Sequence, residues 1–396
     1  MLSFIHTSDW HLGHIYRKLG ARAGESAQWR FAAARRVFDA ALEKKADFVV
    51  VAGDVFDTDT PSLDVIRAAA ELLRDAPVPT YLISGNHDPL MEGSVWFHPL
   101  FADALKGVPH IHIARPREVL AVQGGDALLF PCPVTAPHSR EDATRWIEAA
   151  PRSQSQARIG LAHGGWKGYW RSDEGNEANS LNSIDSQTTE RCGLDYLALG
   201  DYHSFTPANH AAAAARTYYS GTPEITAHDD ARAGHALLVQ LEKPGTAPLV
   251  TPLATGHAQS NNWGIITLQP GNVIATLQAR FETIIDRDKA LVRARLQGVV
   301  SQNEWGELME WLDFLRQQVL GADIDISRLL TEPSRDDFLN LKLAAPELRL
   351  LEMLDKPLES QDMGNMTGRD IIADWSHDEQ ARRAAQTLLY QLMQNE

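Results

Sequence analysis

From residue 1 to about residue 255, short apolar runs alternate with segments of helical period, which predicts layered α/β structure. Leu2 to Thr7, Phe48 to Ala52, Thr80 to Ser84, Ile159 to Ala162 and Tyr196 to Leu199 read as strands. Between the first two, Phe31, Ala34, Phe38, Ala41 and Leu42 fall on one helical face, with Arg35, Arg36, Lys44 and Lys45 elsewhere. A second helix is expected to open with Thr60 as N-cap and Pro61 at its first position, turning Leu63, Ile66 and Leu73 inward. After Tyr196 the pattern becomes strand after strand, at Thr217 to Gly221, His235 to Leu241 and Leu249 to Leu253, with a hairpin turn over Lys243 to Pro248. Parallel βα units followed by an antiparallel tail predict two sheets packed face to face with helices outside.

The polar stretch Gly256 to Asn262 reads as a linker. Beyond it, a strand at Gly264 to Leu268, a helix at Asn272 to Ile285, a strand at Ala290 to Val300, a helix at Asn303 to Leu320 and a strand at Ala322 to Ile326 make a small α+β module. Pro333, Pro346 and Pro357 punctuate the C-terminal stretch before a helix from His377 to Met393, whose apolar stripe is Ala381, Ala384, Ala385, Leu388 and Leu392. The expected divisions are 1–258, 259–332 and 333–396.

Composition narrows the function classes. A chain of 396 residues is long enough for two or three domains. With 44% apolar and 22% charged residues it is an ordinary globular chain, not a disordered one. Its balance of 37 − 52 = −15 argues against binding nucleic acid by overall charge, because duplex affinity comes largely from Lys and Arg on phosphates. The two cysteines, Cys132 and Cys192, have no metal or redox spacing, which excludes a disulfide scaffold and a thiolate zinc site. No signal-like N-terminus and no long apolar run occurs, so a cytoplasmic protein without membrane contact is expected. Absence of a Gly-x-x-x-x-Gly-Lys-[Ser/Thr] motif excludes an ATPase of that type.

Chemistry concentrates where the predicted strands end. The five strands are followed by Asp9-Trp10-His11, Gly53-Asp54, Gly85-Asn86-His87-Asp88, His163-Gly164-Gly165 and Gly200-Asp201-Tyr202-His203. In open α/β sheets the carboxyl edge is where sites are built, so the clusters can converge. Adjacent glycines suit tight turns that approach an ion closely. Carboxylate, imidazole and amide donors without thiolate suit manganese, iron, zinc or magnesium. Seven such donors exceed one tetrahedral site and match two ions about 3.5–4 Å apart that share a carboxylate, an arrangement used in phosphoryl chemistry. Each cluster alone has an ordinary explanation, a packed histidine or a self-capping Asn/Asp turn; five in succession at strand ends do not.

This succession resembles the calcineurin-like metallophosphoesterases, and within them the SbcD-type DNA repair exonuclease subunit. Ser8-Asp9-Trp10-His11-Leu12-Gly13, Gly53-Asp54-Val55-Phe56-Asp57 and Ser220-Gly221-Thr222-Pro223-Glu224 carry the likeness over the first 255 residues or so. It implies a two-sheet α/β sandwich core (1–258, nuclease), a small α+β capping domain (259–332) and a helical, partner-binding C-terminal tail (333–396). It further implies one metal on Asp9, His11, Asp54 and His203 and a second on Asp54, Asn86, His163 and Asp201, most readily Mn2+, with Mg2+, Fe2+ or Zn2+ as alternatives. His87 would stand beside the scissile phosphate, Asp88 would orient its ring, and a metal-bound water would attack. Asp201 departs from the SbcD pattern, which has histidine there; a carboxylate in its place favours oxygen-loving ions.

The resemblance implies DNA as substrate, an SbcC-type coiled-coil ATPase as partner and a homodimer through the nuclease domain. Arg17, Lys18, Arg22, Arg30, Arg35 and Arg36 against Glu25 follow the first motif and are candidates to hold phosphates, or else form a solvated helix face. Trp166-Lys167-Gly168-Tyr169-Trp170-Arg171 offers aromatics for an unpaired base with Lys167 and Arg171 on phosphate, or packs its own loop. The runner-up function is a small-molecule or nucleotide phosphodiesterase, which the acidic balance suits. A third is a metal-stabilised scaffold without turnover, which would follow if Asp201 disables the second site.

Overall fold

A computed structural model describes residues 1–152, 155–166, 182–206, 215–228, 232–333, 345–355 and 379–394. The chain divides into two compact units, Met1–Ser260 and Asn261–Glu396. The first holds β1 (Leu2–Thr7), β2 (Phe48–Ala52), β3 (Thr80–Ile83), β4 (Ile111–Ile113), β5 (Leu120–Val122), β6 (Ala127–Cys132), β7 (Ala157–His163), β8 (Tyr196–Gly200), β9 (Thr217–Tyr219), β10 (His235–Leu241) and β11 (Leu249–Ala254). One sheet runs β11-β10-β1-β2-β3-β4 and the other β5-β6-β7-β8-β9. Strands β1 to β4 are mutually parallel, as are β6 to β9, while β10 and β11 close the first sheet antiparallel.

Side-chain alternation builds the layers. β1, β2, β7 and β8 are buried at every position, the signature of strands covered on both faces. Phe4, Phe48 and Val50 meet Ile159, Leu161, Tyr196 and Tyr218 between the sheets. Their neighbours Ile5, Val49 and Val51 face outward onto Ala34 and Phe38 of helix Ala23–Glu43 and Ile66 and Leu73 of helix Leu63–Arg74. On the far side, Phe130, Leu197 and Leu199 pack on Ile147 and Cys192. Full burial of each large apolar side chain contributes about 1.5–3 kcal/mol. The two-sheet α/β sandwich expected from the sequence is what the chain forms.

Local boundaries differ from expectation in three places. The second helix is capped by Ser62, whose hydroxyl accepts from the Val65 amide at 3.4 Å, so Thr60 and Pro61 lie ahead of it and Leu63 is exposed. Leu42 likewise faces solvent. The expected linker is partly strand: β12 (Gln259–Leu268) takes in Gln259 to Asn262, its polar residues tolerated because it is the edge of a three-stranded sheet with β13 (Ala290–Val300) and β14 (Gly321–Thr331).

In that second unit the sheet packs on helices Val273–Glu282 and Gln302–Gln318, the latter opened by a Ser301/Glu304 capping box. The C-terminal helix is described over Glu379–Gln394; part of its expected start lies outside the described residues. Leu389 is its buried apolar contact, against Leu354, while Leu388 and Leu392 of the expected stripe are exposed. No helix among the described residues is long and apolar enough to cross a membrane.

Candidate metal centre

Parallel strands deliver their carboxyl ends to one edge, and both sheets do so here. Asp9 and His11 follow β1, Asp54 follows β2, Asn86, His87 and Asp88 follow β3, His163 ends β7, and Asp201 and His203 follow β8. The loops after β1 and β2 are laced together by Asp9 N–H to the Gly53 carbonyl (3.0 Å), His11 N–H to Asp54 (3.0 Å) and Leu12 N–H to Val55 (2.9 Å). That lacing holds an unfavourable backbone at Asp9, His11 and Asp54, with φ of 53°, 45° and 49°, and Asp201 after β8 has φ of 102°. Strain of this kind persists only where the surroundings enforce it, and it collects where side chains must be aimed. Gly85 gives room for the approach, since a Cβ there would lie 2.1 Å from Asp54 Oδ1.

The ligand-type atoms face one another. His11 Nε2 lies 3.2 Å from His203 Nε2 and 3.9 Å from Asp54 Oδ2. His163 Nε2 lies 2.7 Å from Asn86 Oδ1, 3.5 Å from Asp54 Oδ2 and 3.8 Å from Asp201 Oδ1. Two groups with metal-ligating spacing result, Asp9/His11/His203 and Asp9/Asp54/His163, joined through Asp9, while Asp54 Oδ2 stands between the two imidazoles. Asp9 is thus a shared group alongside Asp54. Asp201 stays on the His163 side, and its amide donates to Asp9 Oδ1 at 3.0 Å.

Outer partners fix the rings. His163 Nδ1–H donates to the Ala52 carbonyl at 2.8 Å, which leaves Nε2 as the ligand-type atom. His203 Nδ1 pairs with the Thr226 hydroxyl at 2.6 Å, turning its Nε2 inward in the same way. Burial lowers the pKa of His11 to about 4, so its imidazole is neutral. Burial raises Asp9 to about 6 against the pull of His163 and His203, and raises Asp201 too. Burial would lower His163, yet Asp54, Asp9 and Asp201 outweigh it and push it up to about 9. The carboxylates therefore demand a cation at His163, and two inward Nε2 atoms 3.2 Å apart need a shared proton or ion between them. With hard oxygens, imidazoles and one amide, this donor set fits divalent ions of the manganese, magnesium, iron or zinc kind.

His87 is exposed at the rim, its Nδ1–H donating to the Asp57 carbonyl at 2.9 Å and its ring edge-on to His11. The expected role of Asp88 as orienter of that ring is corrected. Asp88 is fully buried, and its two oxygens accept from the Gly85 amide (2.7 Å) and the Phe56 amide (3.0 Å), so it braces the turn instead. Sequence reasoning missed Asp57, which accepts from His14 Nδ1 at 3.0 Å, lies 3.5 Å from His11 Nδ1 and forms a third cluster with His11 and His87. Asp57 ends the Gly53-to-Asp57 motif, which was its signal; Thr226 and the Ala52 carbonyl had none.

The basic segment after the first motif divides. Arg17, Lys18 and Arg22 are exposed, with Arg22 on Glu25 at 3.3 Å. Arg30 is buried and donates to the Ile225 carbonyl at 3.0 Å, while Arg36 reaches the Thr255 carbonyl and Glu224, so neither faces phosphate. Lys167 and Arg171 lie outside the described residues.

Comparison with known proteins bears on the whole arrangement. The chain is 30% identical over 218 residues to the uncharacterized metallophosphoesterase YhaO of Bacillus subtilis (strain 168), 51% of this chain and 48% of that one, so it spans about half the length of this curated relative. Among solved structures, TT1561 of Thermus thermophilus is 12% identical with a TM-score of 0.40 and covers 64% of this chain and 99% of that one. Calcineurin-like phosphoesterase YfkN from Bacillus subtilis is also 12% identical, with a TM-score of 0.37 over 64% of this chain and 90% of that one. The calcineurin-like phosphoesterase model matches residues 2–205, a span that contains every candidate ligand from Asp9 to His203. By that match the chain belongs to the calcineurin-like phosphoesterase family.

Proposed function

We propose that this metal-dependent phosphoesterase is a nuclease that hydrolyses phosphodiester bonds in DNA, works with a coiled-coil ATPase of the SbcC type and pairs as a homodimer through its first unit. The observation that carries the hydrolytic part is the convergence of the imidazole Nε2 atoms and Asp9 and Asp54 at the edge shared by the two sheets. Asp9, His11, Asp54 and His203 would hold one ion, and Asp54, Asn86, His163 and Asp201 the other, with Asp9 at their junction. Bound divalent ions supply Lewis acidity and bring the pKa of water towards neutrality. Protein groups do the rest. Thr226 and the Ala52 carbonyl keep the two inward imidazoles from rotating. His87, with Nδ1–H held on the Asp57 carbonyl, has Nε2 left to meet a phosphoryl or leaving oxygen.

Support for DNA comes from the SbcD-type motifs and from exposed Arg17, Lys18 and Arg22 just beyond the first ligand pair. A small-molecule phosphodiesterase is the second reading, favoured by the internal engagement of Arg30 and Arg36 and by the net charge of −15. One metal-titrated assay separates them. Linear duplex, single strand and bis(p-nitrophenyl) phosphate are offered side by side after chelation and manganese return. Cleavage of DNA restored by manganese is the expected result; hydrolysis of the small ester alone transfers the assignment to the second reading, and cleavage untouched by chelation removes the metal mechanism. The ATPase is tested by co-purification of the full chain with the SbcC-type chain of the same genome, and the dimer by light scattering.

A further inference from the structure

Beside the metal centre, and sharing His163 with it, lies a cavity of about 560 Å³, within the size range of small-ligand clefts. Arg117, Arg140 and Arg145 line it together with Trp146. All three arginines are exposed, and among the described residues no carboxylate pairs with them. Two acids share the wall, Glu141 and Asp142, but Asp142 is occupied by the Thr144 amide (2.9 Å), the Thr144 hydroxyl (2.6 Å) and the Arg191 guanidinium (3.5 Å). With Asp142 engaged, the described lining sets three guanidinium groups, Arg117, Arg140 and Arg145, against the one remaining acid, Glu141.

Its wall is built. Arg117 sits at φ 60° in a turn that the Glu118 carboxylate closes by accepting from the Arg115 amide and the His112 ring, each at 3.0 Å. Asn182, also in the lining, accepts from the Ser139 amide at 3.0 Å and donates its side-chain amide to the Pro137 carbonyl at 2.9 Å. Trp146 is half-buried, tilted against Phe130. Fork-shaped guanidinium donors match phosphate oxygens, and an indole face suits a planar base. Because His163 is common to cavity and centre, a group held in the cavity lies next to the candidate metal centre.

We infer that this cavity binds one nucleotide unit next to the scissile bond, its phosphate on Arg117, Arg140 and Arg145 and its base against Trp146. The inference rests on the proposed phosphodiesterase reading for what lies at His163, but the binding itself needs no turnover. Calorimetry on the full chain, kept in chelator, with thymidine 5′-monophosphate as probe tests it. Thymidine and inorganic phosphate are each expected to bind at least about tenfold more weakly than the nucleotide. Combining R117A, R140A and R145A is expected to weaken the nucleotide by about tenfold or more, and lysine at the same three positions, which returns the charge without the fork, to restore only part of that loss.

A short oligothymidylate distinguishes the sources: tighter binding than the monophosphate, with the same arginine dependence, identifies a strand end, and equal binding a free nucleotide. No binding of either probe, or affinity indifferent to the three arginines, overturns the inference. Metal-dependent hydrolysis of bis(p-nitrophenyl) phosphate is followed in parallel. Its loss with nucleotide binding intact sinks the catalytic reading alone, and the converse sinks only the cavity.

Discussion

Two residues show how narrowly the centre is toleranced. A methyl group on Gly85 would meet Asp54 Oδ1 at 2.1 Å and the Asp54 backbone nitrogen at 2.5 Å, and backbone cannot yield as a flexible side chain does. Gly85→Ala is therefore expected to lower stability by about 1–3 kcal/mol and to weaken manganese binding, read by urea unfolding and by metal titration. Unchanged metal affinity would show that Asp54 is not held by this contact. His87 poses the opposite case. Exposed and held through Nδ1, His87→Asn is expected to retain both ions by elemental analysis while losing about 10²- to 10⁴-fold in turnover; loss of an ion would make it a ligand. At this scale the candidate ligands were readable because each stands beside a strand end, in a motif. The partners of their rings were not: a backbone carbonyl such as that of Ala52 carries no side-chain signature, and Thr226 lies far along the chain from His203.

Between elements, two buried polar groups carry clear consequences. Asp88 lets one carboxylate serve two amides of the loops after β2 and β3. Asp88→Asn replaces one acceptor with a donor facing an N–H and is expected to destabilise by about 1–3 kcal/mol without removing any ligand, measured by urea unfolding with metal present. His6 joins the two sheets: from β1 it donates Nε2–H to the Leu199 carbonyl (3.2 Å) and accepts at Nδ1 from the Tyr196 hydroxyl (2.9 Å), both on β8. Burial lowers its pKa to about 3. The unfolded chain then binds a proton near the ordinary value of 6.5 that the folded chain refuses, so stability falls as pH drops below 6.5 and towards 3. Between about pH 7 and about pH 5 this one group removes about 2 kcal/mol. His6→Leu should flatten the pH dependence of the unfolding free energy from urea titrations by that amount; an unchanged slope would mean His6 binds its proton equally in the folded and unfolded states. Elements themselves were readable where burial is continuous, as in β1 and β8, and misread where an end is fixed by one cap or an edge strand is polar, as at Ser62 and in β12.

For the whole molecule, the charge of −15 is a poor guide to any one surface. Asp9, Asp54 and Asp201 crowd the same spot, and burial already raises the carboxyl pKa of Asp9 and Asp201. Ions that relieve this crowding bind the folded chain alone, so manganese at about a hundredfold over its dissociation constant should stabilise it by about 2.7 kcal/mol. Thermal melts with manganese and with chelator measure this, and coincident melts would count against any ion at the site. The cationic lining of Arg117, Arg140 and Arg145 was not readable from composition, because Arg117 lies well before the other two in the chain and only the fold brings the three to one cavity.

The antiparallel pairing of β1 with β10 has a consequence for how the protein is made. β1, which ends next to Asp9, gains its second neighbour only when His235–Leu241 is available, and the Thr226 hydroxyl that steadies His203 arrives shortly before. The last partners of the centre thus come from residues made after every candidate ligand from Asp9 to His203.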